Sequence, residues 1–172
     1  CDWSSDVCSS DLIRATVIGA SQFTVQVSGK TIYLPEPGVL PVANVPVVHL
    51  GLDPSEEIPP EGLTTRLATA IRNMDLEPDS RMAIAFPWRG DPEYSRLEAI
   101  GKAIVAATAP TEQRNQLLLV MIDGDIGKIL GRLLHRELDL PGALVSIDGV
   151  QLQELDFVDV GEIDRKSTRL NS

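Results

Sequence analysis

The chain has 172 residues, a formal net charge of −10 at pH 7, 43% hydrophobic residues and 4% aromatic residues. Because an acidic surface repels polyanions, this charge argues against nucleic acid or an anionic membrane as a partner. No apolar run approaches the roughly 20 residues that cross a bilayer, and the length and hydrophobic content predict one domain, or a small domain with a subdomain, around an aliphatic core.

The two ends of the chain do not read as native protein. Residues 1–12, CDWSSDVCSSDL, and residues 164–172, DRKSTRLNS, can be encoded by opposite strands of one oligonucleotide that resembles a sequencing-library adapter. We interpret both ends as adapter artefacts and exclude them from the predicted fold. Both cysteines, Cys1 and Cys8, lie in the first of these ends, so residues 13–163 carry no disulfide and no thiolate metal site.

The first part of the remaining chain is rich in β-branched residues and predicts strands. Alternation of apolar and polar residues, followed by turn signals, predicts an antiparallel β-meander in a subdomain over residues 13–52. The predicted strands lie at 14–19, 23–27, 31–34 and 45–50. Residues 53–60 are acidic and proline-rich, and they predict a linker.

The second part, residues 61–163, alternates helical and strand patterns and predicts an α/β domain. Apolar residues at helical spacing predict three amphipathic helices, whose apolar faces carry Leu63, Leu67, Ile71 and Met74, then Tyr94, Leu97, Ile100, Ile104 and Ala107, then Ile126, Ile129, Leu130, Leu133 and Leu134. Apolar runs predict strands at 82–86, 116–122, 143–147 and 157–160. This alternation predicts a mostly parallel sheet with helical crossovers.

Three aspartates follow two of these predicted strands. Asp123 and Asp125 come after the strand at 116–122, and Asp148 comes after the strand at 143–147. If those two strands are neighbours in a parallel sheet, their carboxyl ends share one edge, and these carboxylates are candidate ligands for a divalent cation. The alternative is structural, with Asp123 or Asp125 capping the following helix and Asp148 in a solvated turn.

A second candidate is a contact surface for a partner protein in the loop at 87–94. Trp88, Arg89 and Tyr94 bring aromatic and cationic side chains together there, and we expect this loop and the linker at 53–60 to be exposed. The alternative interpretation of the same residues is ordinary loop packing.

Five short segments, in their order and spacing, resemble a known family. Together they are similar to the C-terminal third of the ethanolamine ammonia-lyase reactivating factors of ethanolamine utilisation. The segments are RATVIGA at 14–20, VSGKTIYL at 27–34, LPVANVPV at 40–47, DIGKILG at 125–131 and DFVDVG at 156–161.

The resemblance implies a molecular chaperone with an actin/Hsp70-like ATPase fold. It implies that ATP and Mg²⁺ drive the release of damaged cobalamin from an adenosylcobalamin-dependent ethanolamine ammonia-lyase, which would be the partner. It also implies a cytoplasmic protein associated with a bacterial microcompartment. The phosphate-binding loops of such ATPases lie upstream of the matching region. No nucleotide-binding or catalytic residue is therefore assigned to this chain.

Two other functions stay open on the sequence. One is a small magnesium-dependent α/β enzyme that transfers phosphoryl groups with Asp123, Asp125 and Asp148. The other is a structural, actin-like subdomain that serves in assembly.

Overall fold

The structure, a computed structural model, describes residues 22–25, 32–52, 59–108, 116–150 and 157–163. Within these ranges the strands are β1 (Gln22–Val25), β2 (Ile32–Tyr33), β3 (Val42–His49), β4 (Met82–Pro87), β5 (Leu118–Asp123), β6 (Leu144–Asp148) and β7 (Phe157–Val160). The helices are α1 (Pro60–Asn73), α2 (Tyr94–Thr108) and α3 (Gly127–Arg132). A 3₁₀ turn covers Pro37–Val39, and a π-helical turn, Leu133–Glu137, continues α3.

The seven described strands form one sheet in the order β1-β7-β3-β4-β5-β6-β2. Its centre, β3 to β6, is parallel, and α1, α2 and α3 connect these strands in turn. The pair β1–β7 is also parallel, whereas β7–β3 and β6–β2 are antiparallel. The predicted mixture of helices with a mostly parallel sheet is confirmed. Strands from both sides of the predicted linker at 53–60 belong to this one sheet.

The central strands are buried on both faces, as their continuous apolar runs predict. In β4, Met82, Ile84 and Phe86 pack with the residues of the three helices. The intervening Ala83 and Ala85 face a second cluster, to which the other strands contribute Val25, Ile32, Val42, Val45, Val158 and Val160. The helices therefore cover one face of the sheet, and the curled outer strands cover the other.

The bend in the sheet lies within β3. Residues in the first half of β3 pair with β7, and residues in its second half pair with β4. The register against β7 shifts between Val42 and Val45, and Asn44 between them has a φ of 56°. Asn tolerates this left-handed conformation better than most residues. A bulge of this kind bends a strand, and here it lets one strand serve both parts of the sheet.

Helix α1 shows how local sequence sets the helix ends. Pro60 occupies the first turn, where its missing N–H costs nothing, and Glu61 complements the helix dipole there. At the other end Asp75 adopts a left-handed φ of 54°, and its N–H donates to the Arg72 carbonyl at 3.0 Å. The N–H of Leu76 reaches back to the Ile71 carbonyl at 3.2 Å, which completes a Schellman motif.

The predicted helix faces are confirmed for most of their residues, with two corrections. Tyr94 and Ile129 were predicted on buried faces but are 58% and 49% exposed. Tyr94 is the first residue of α2, beyond the packed part of the helix, and its hydroxyl donates to Glu137 Oε2 at 2.7 Å. Ile129 lies beside Leu130, on the side of α3 that turns away from the sheet.

The predicted antiparallel meander over 13–52 is wrong for the described residues. There, β1 and β2 lie at opposite edges of the sheet and have different partners. The alternating pattern correctly indicates strands. However, β1 pairs with β7 and β2 pairs with β6, so the two strands do not pair with each other. The predicted strand at 14–19, residues 53–58 of the linker and both adapter-like ends lie outside the described ranges. Among the helices within those ranges, none has the length and apolarity to cross a bilayer.

Candidate functional site

The candidate site lies at the carboxyl edge of β4, β5 and β6. These three strands are parallel neighbours, so the loops that follow them meet at one edge. Backbone hydrogen bonds tie the loops together. The Trp88 N–H donates to the Asp123 carbonyl at 3.0 Å, and the Gly149 N–H donates to the Gly124 carbonyl at 3.1 Å. The two aspartate-bearing loops therefore lie side by side at this edge.

Asp123 forms an ion pair that joins two of these loops. The guanidinium of Arg89 donates to Asp123 Oδ2 at 2.7 Å and to the backbone carbonyl of Trp88 at 2.9 Å. The hydrogen bond and the charge of Asp123 raise the pKa of Arg89, which stays protonated. Both side chains are solvent-accessible, so the pair contributes little to stability and mainly fixes the geometry of the loop.

Asp148 is the buried carboxylate of the site. It is 9% exposed, and its Oδ1 accepts a hydrogen bond from the backbone N–H of Gly127 at the start of α3. The nearby backbone N–H groups of Ile126 and Lys128 also stabilise the charged form of this carboxylate. Burial raises the pKa of Asp148, the negative charge of Asp125 raises it further, and the three N–H groups oppose the rise.

Asp148 therefore caps α3 from the neighbouring strand. The sequence alternative had Asp123 or Asp125 as the cap, whereas the carboxylate that accepts from the first N–H of α3 is that of Asp148. A Cβ atom on Gly127 would lie 2.6 Å from Asp148 Oδ1, so only glycine allows this close approach. The carboxylate satisfies N–H groups that a helix start otherwise leaves unpaired.

The three predicted metal ligands do not come together as a set. Within the part of the chain that the structure describes, no three His, Cys, Asp or Glu side chains are placed to hold a metal ion. Asp123 engages Arg89, Asp148 engages the start of α3, and Asp125 is exposed. These residues do not fit a magnesium site as they stand, so no step that uses Mg²⁺ or a nucleotide is assigned to them.

The predicted contact surface at 87–94 needs one correction. Trp88 is only 5% exposed, so its indole is a packing residue. Its Nε1 donates to the Gly90 carbonyl at 3.2 Å, and the guanidinium of Arg96 lies 4.4 Å from its ring centroid. A Cβ atom on Gly124 would lie 2.9 Å from Trp88 Cβ, which shows how closely the two loops pack. Arg89 and Tyr94 are exposed. For Tyr94 this agrees with the predicted loop surface and not with the helix pattern, which placed it on a buried face.

One contact between α3 and the sheet was not predicted. The Tyr33 hydroxyl lies 3.0 Å from His135 Nδ1, and a Cβ atom on Gly131 would lie 2.6 Å from the Tyr33 ring. The four-residue spacing of Gly127 and Gly131 is the only local signal for this close approach, since small residues let a helix come near its neighbour. Tyr33 itself is 102 residues away from His135.

Comparison with known proteins agrees with the family resemblance. The family model of the ethanolamine utilisation protein EutA matches residues 4–166. The chain is 35% identical over 151 residues to the ethanolamine ammonia-lyase reactivase EutA of Salmonella typhimurium, and 34% identical over 151 residues to that of Escherichia coli. Each match covers 87% of this chain but 30% of the relative's length.

No solved structure matches the chain. The match with the family model extends over most of the chain, and both relatives exceed 30% identity across nearly all of it. The chain therefore belongs to the EutA family of ethanolamine utilisation proteins.

Proposed function

We propose that this chain is part of a chaperone that reactivates ethanolamine ammonia-lyase. The observation that carries the proposal is the 34–35% identity, over 87% of the chain, to two proteins named as reactivases of that enzyme. The chain spans about 30% of the length of these relatives. The activity proposed is therefore that of a whole protein to which this chain contributes one part.

The contribution proposed for this part is a rigid binding unit. Support comes from the candidate site, where the charged groups make structural contacts. Asp148 caps α3, and Arg89 joins two loops through Asp123. The central strands are buried on both faces. A unit of this kind can carry a partner-binding surface and can move as a body when another domain changes state.

The wider cycle proposed follows from the family resemblance. ATP and Mg²⁺, bound in other parts of an actin/Hsp70-like protein, drive the exchange of damaged cobalamin for intact adenosylcobalamin in the lyase. The mixed seven-stranded sheet with helices is compatible with such a fold. The same resemblance supports a cytoplasmic location and an association with a bacterial microcompartment.

A cobalamin-release assay tests this proposal. The lyase is loaded with cyanocobalamin, which lacks the adenosyl group, and is mixed with the protein from the longest reading frame that contains this chain. After gel filtration, the absorbance of cobalamin that stays with the lyase is measured with and without ATP and Mg²⁺. We expect release only with the protein, ATP and Mg²⁺ together. Cobalamin that stays bound in the complete mixture would contradict the proposal.

The variant Asp125→Asn separates this proposal from the magnesium enzyme suggested by the sequence. Because Asp125 is exposed and holds no described partner group, we expect the variant to release cobalamin at the wild-type rate. The control is Asp79→Asn, which changes an exposed aspartate in the loop before β4. Tight Mg²⁺ binding by the wild type that is lost in Asp125→Asn alone would favour the magnesium enzyme.

A further inference from the structure

The outer side of α3 and of its π-helical turn forms a basic face. We define this face as Lys128, Ile129, Arg132 and Arg136, all of which are exposed. The three cations are spaced four residues apart, so they follow one side of the helix. Leucines fill the opposite, buried side at Leu130, Leu133 and Leu134.

Within the described ranges, no cation of the basic face forms an ion pair with a neighbouring carboxylate. The ion pairs found there are Arg89–Asp123 and Lys102–Glu98, and neither includes a cation of this face. Glu137, the acidic residue next to Arg136, accepts a hydrogen bond from the Tyr94 hydroxyl. Three positive charges thus stand together on a chain whose formal net charge is −10.

Ile129 adds an apolar centre to the basic face. Among the described residues, the large hydrophobic side chains that are exposed are Ile129 and Tyr94, and Ile129 is 49% exposed. Arginine is enriched at protein–protein interfaces, and such interfaces have a desolvated apolar centre with a polar rim around it. The exposed isoleucine among the cations therefore favours a partner that can bury an apolar side chain.

The basic face is held rigidly on the sheet. Asp148 fixes the first turn of α3, and Gly131 allows the helix to rest directly on the Tyr33 ring. Beyond the helix, the Leu138 N–H donates to the Leu133 carbonyl at 3.0 Å, which closes the π-helical turn. A preorganised surface loses little conformational entropy when it binds, which favours a role in recognition.

We infer that the basic face docks onto an acidic surface of ethanolamine ammonia-lyase that has an apolar side chain at its centre. The identity of the partner rests on the proposed function. A protein is favoured over nucleic acid or a membrane because the strong negative charge of the whole chain repels extended polyanions. A discrete cluster of carboxylates, in contrast, can pair with three cations at short range, and this pairing speeds encounter.

Charge reversal tests the basic face in the whole protein. The double variant Arg132→Glu/Arg136→Glu is compared with Arg72→Glu/Arg81→Glu, which changes the net charge equally at exposed sites on α1 and before β4. Binding to the purified lyase is measured by surface plasmon resonance at low and high salt. We expect association at least about tenfold slower, with a weaker salt dependence, for the first variant only. Thermal unfolding followed by circular dichroism checks that both variants fold.

The results of this test separate the proposed function from the docking surface. If the wild type does not bind the lyase under any condition, the proposed function and the docking surface both fail. If the wild type binds and the two double variants behave alike, only the docking surface fails, because net charge alone then explains the effect. Binding of the wild type to phosphatidylglycerol vesicles or single-stranded DNA, lost in the Arg132→Glu/Arg136→Glu variant, would overturn the choice of a protein partner.

Discussion

At the scale of single residues, Asp148 links the sheet to α3. Its carboxylate lies at the end of β6 and accepts N–H groups from the first turn of the helix. From the sequence, Asp123 and Asp148 share an edge only if their strands are neighbours, as β5 and β6 are. The sequence did not predict the capping role, because that role needs β5 and β6 to be neighbours and Gly127 to let the carboxylate approach.

We expect Asp148→Ala to destabilise the protein by about 1–3 kcal/mol, because it leaves buried N–H groups without an acceptor. Asp148→Asn keeps an acceptor oxygen and carries no charge. We therefore expect it to be at least as stable as the wild type at neutral pH. The free energy of unfolding of each variant, from urea denaturation, checks this order. Equal stability of the Ala and Asn variants would show that the capping bonds contribute nothing.

The ionisation of Asp148 makes the stability of the protein fall as the pH rises. Burial raises the pKa of Asp148 in the folded state above its ordinary value of 3.8, so the folded state binds more protons than the unfolded state. The contribution of Asp148 to the free energy of unfolding is therefore greatest at pH values at or below the ordinary pKa. It falls as the pH rises towards the folded pKa and is constant above it. The wild type should lose stability relative to Asp148→Asn across this window, and a gain would contradict the account.

At the scale of elements, α3 lies unusually close to β2. Gly131 packs on the ring of Tyr33, whose hydroxyl meets His135 Nδ1. This contact joins an edge strand of only two residues to the helix that carries the basic face. The position of α3 therefore depends on a residue near the start of the described chain.

We expect Gly131→Ala to destabilise the protein by about 1–3 kcal/mol, because its Cβ atom would lie 2.6 Å from the Tyr33 ring and the helix must shift. The control is Gly51→Ala, where a Cβ atom would meet nothing within 4 Å. Midpoints of thermal unfolding compare the two variants. Gly131→Ala should lower the midpoint less in a Tyr33→Ala background than in the wild type, and equal midpoints for the two glycine variants would refute the close contact.

Local sequence patterns predicted most of the helices and strands but not how the edge strands pair. Helical spacing of Leu63, Leu67 and Ile71 and the apolar runs of β4 to β7 predicted most of the helices and strands, since burial of one face follows from periodicity. The partners of β1 and β2 could not be predicted in this way. They pair with strands more than 100 residues further along the chain, and no pattern within either segment encodes that choice.

At the scale of the whole molecule, one curled sheet joins the described parts of the chain, with helices on one face and outer strands on the other. The sheet positions the candidate site at its carboxyl edge and the basic face on α3. The family relationship assigns such a unit to proteins named as reactivases of ethanolamine ammonia-lyase. We therefore propose that this unit works as part of a reactivating chaperone.

The most direct test measures the recovery of lyase activity. Ethanolamine ammonia-lyase that has lost activity during turnover is incubated with adenosylcobalamin, ATP, Mg²⁺ and the protein from the longest reading frame that contains this chain, and ammonia release from ethanolamine is followed. The control mixture lacks only that protein. We expect ammonia release to resume in the complete mixture and to stay absent in the control. Equal rates in the two mixtures, with a protein that is folded and binds the lyase, would contradict the account.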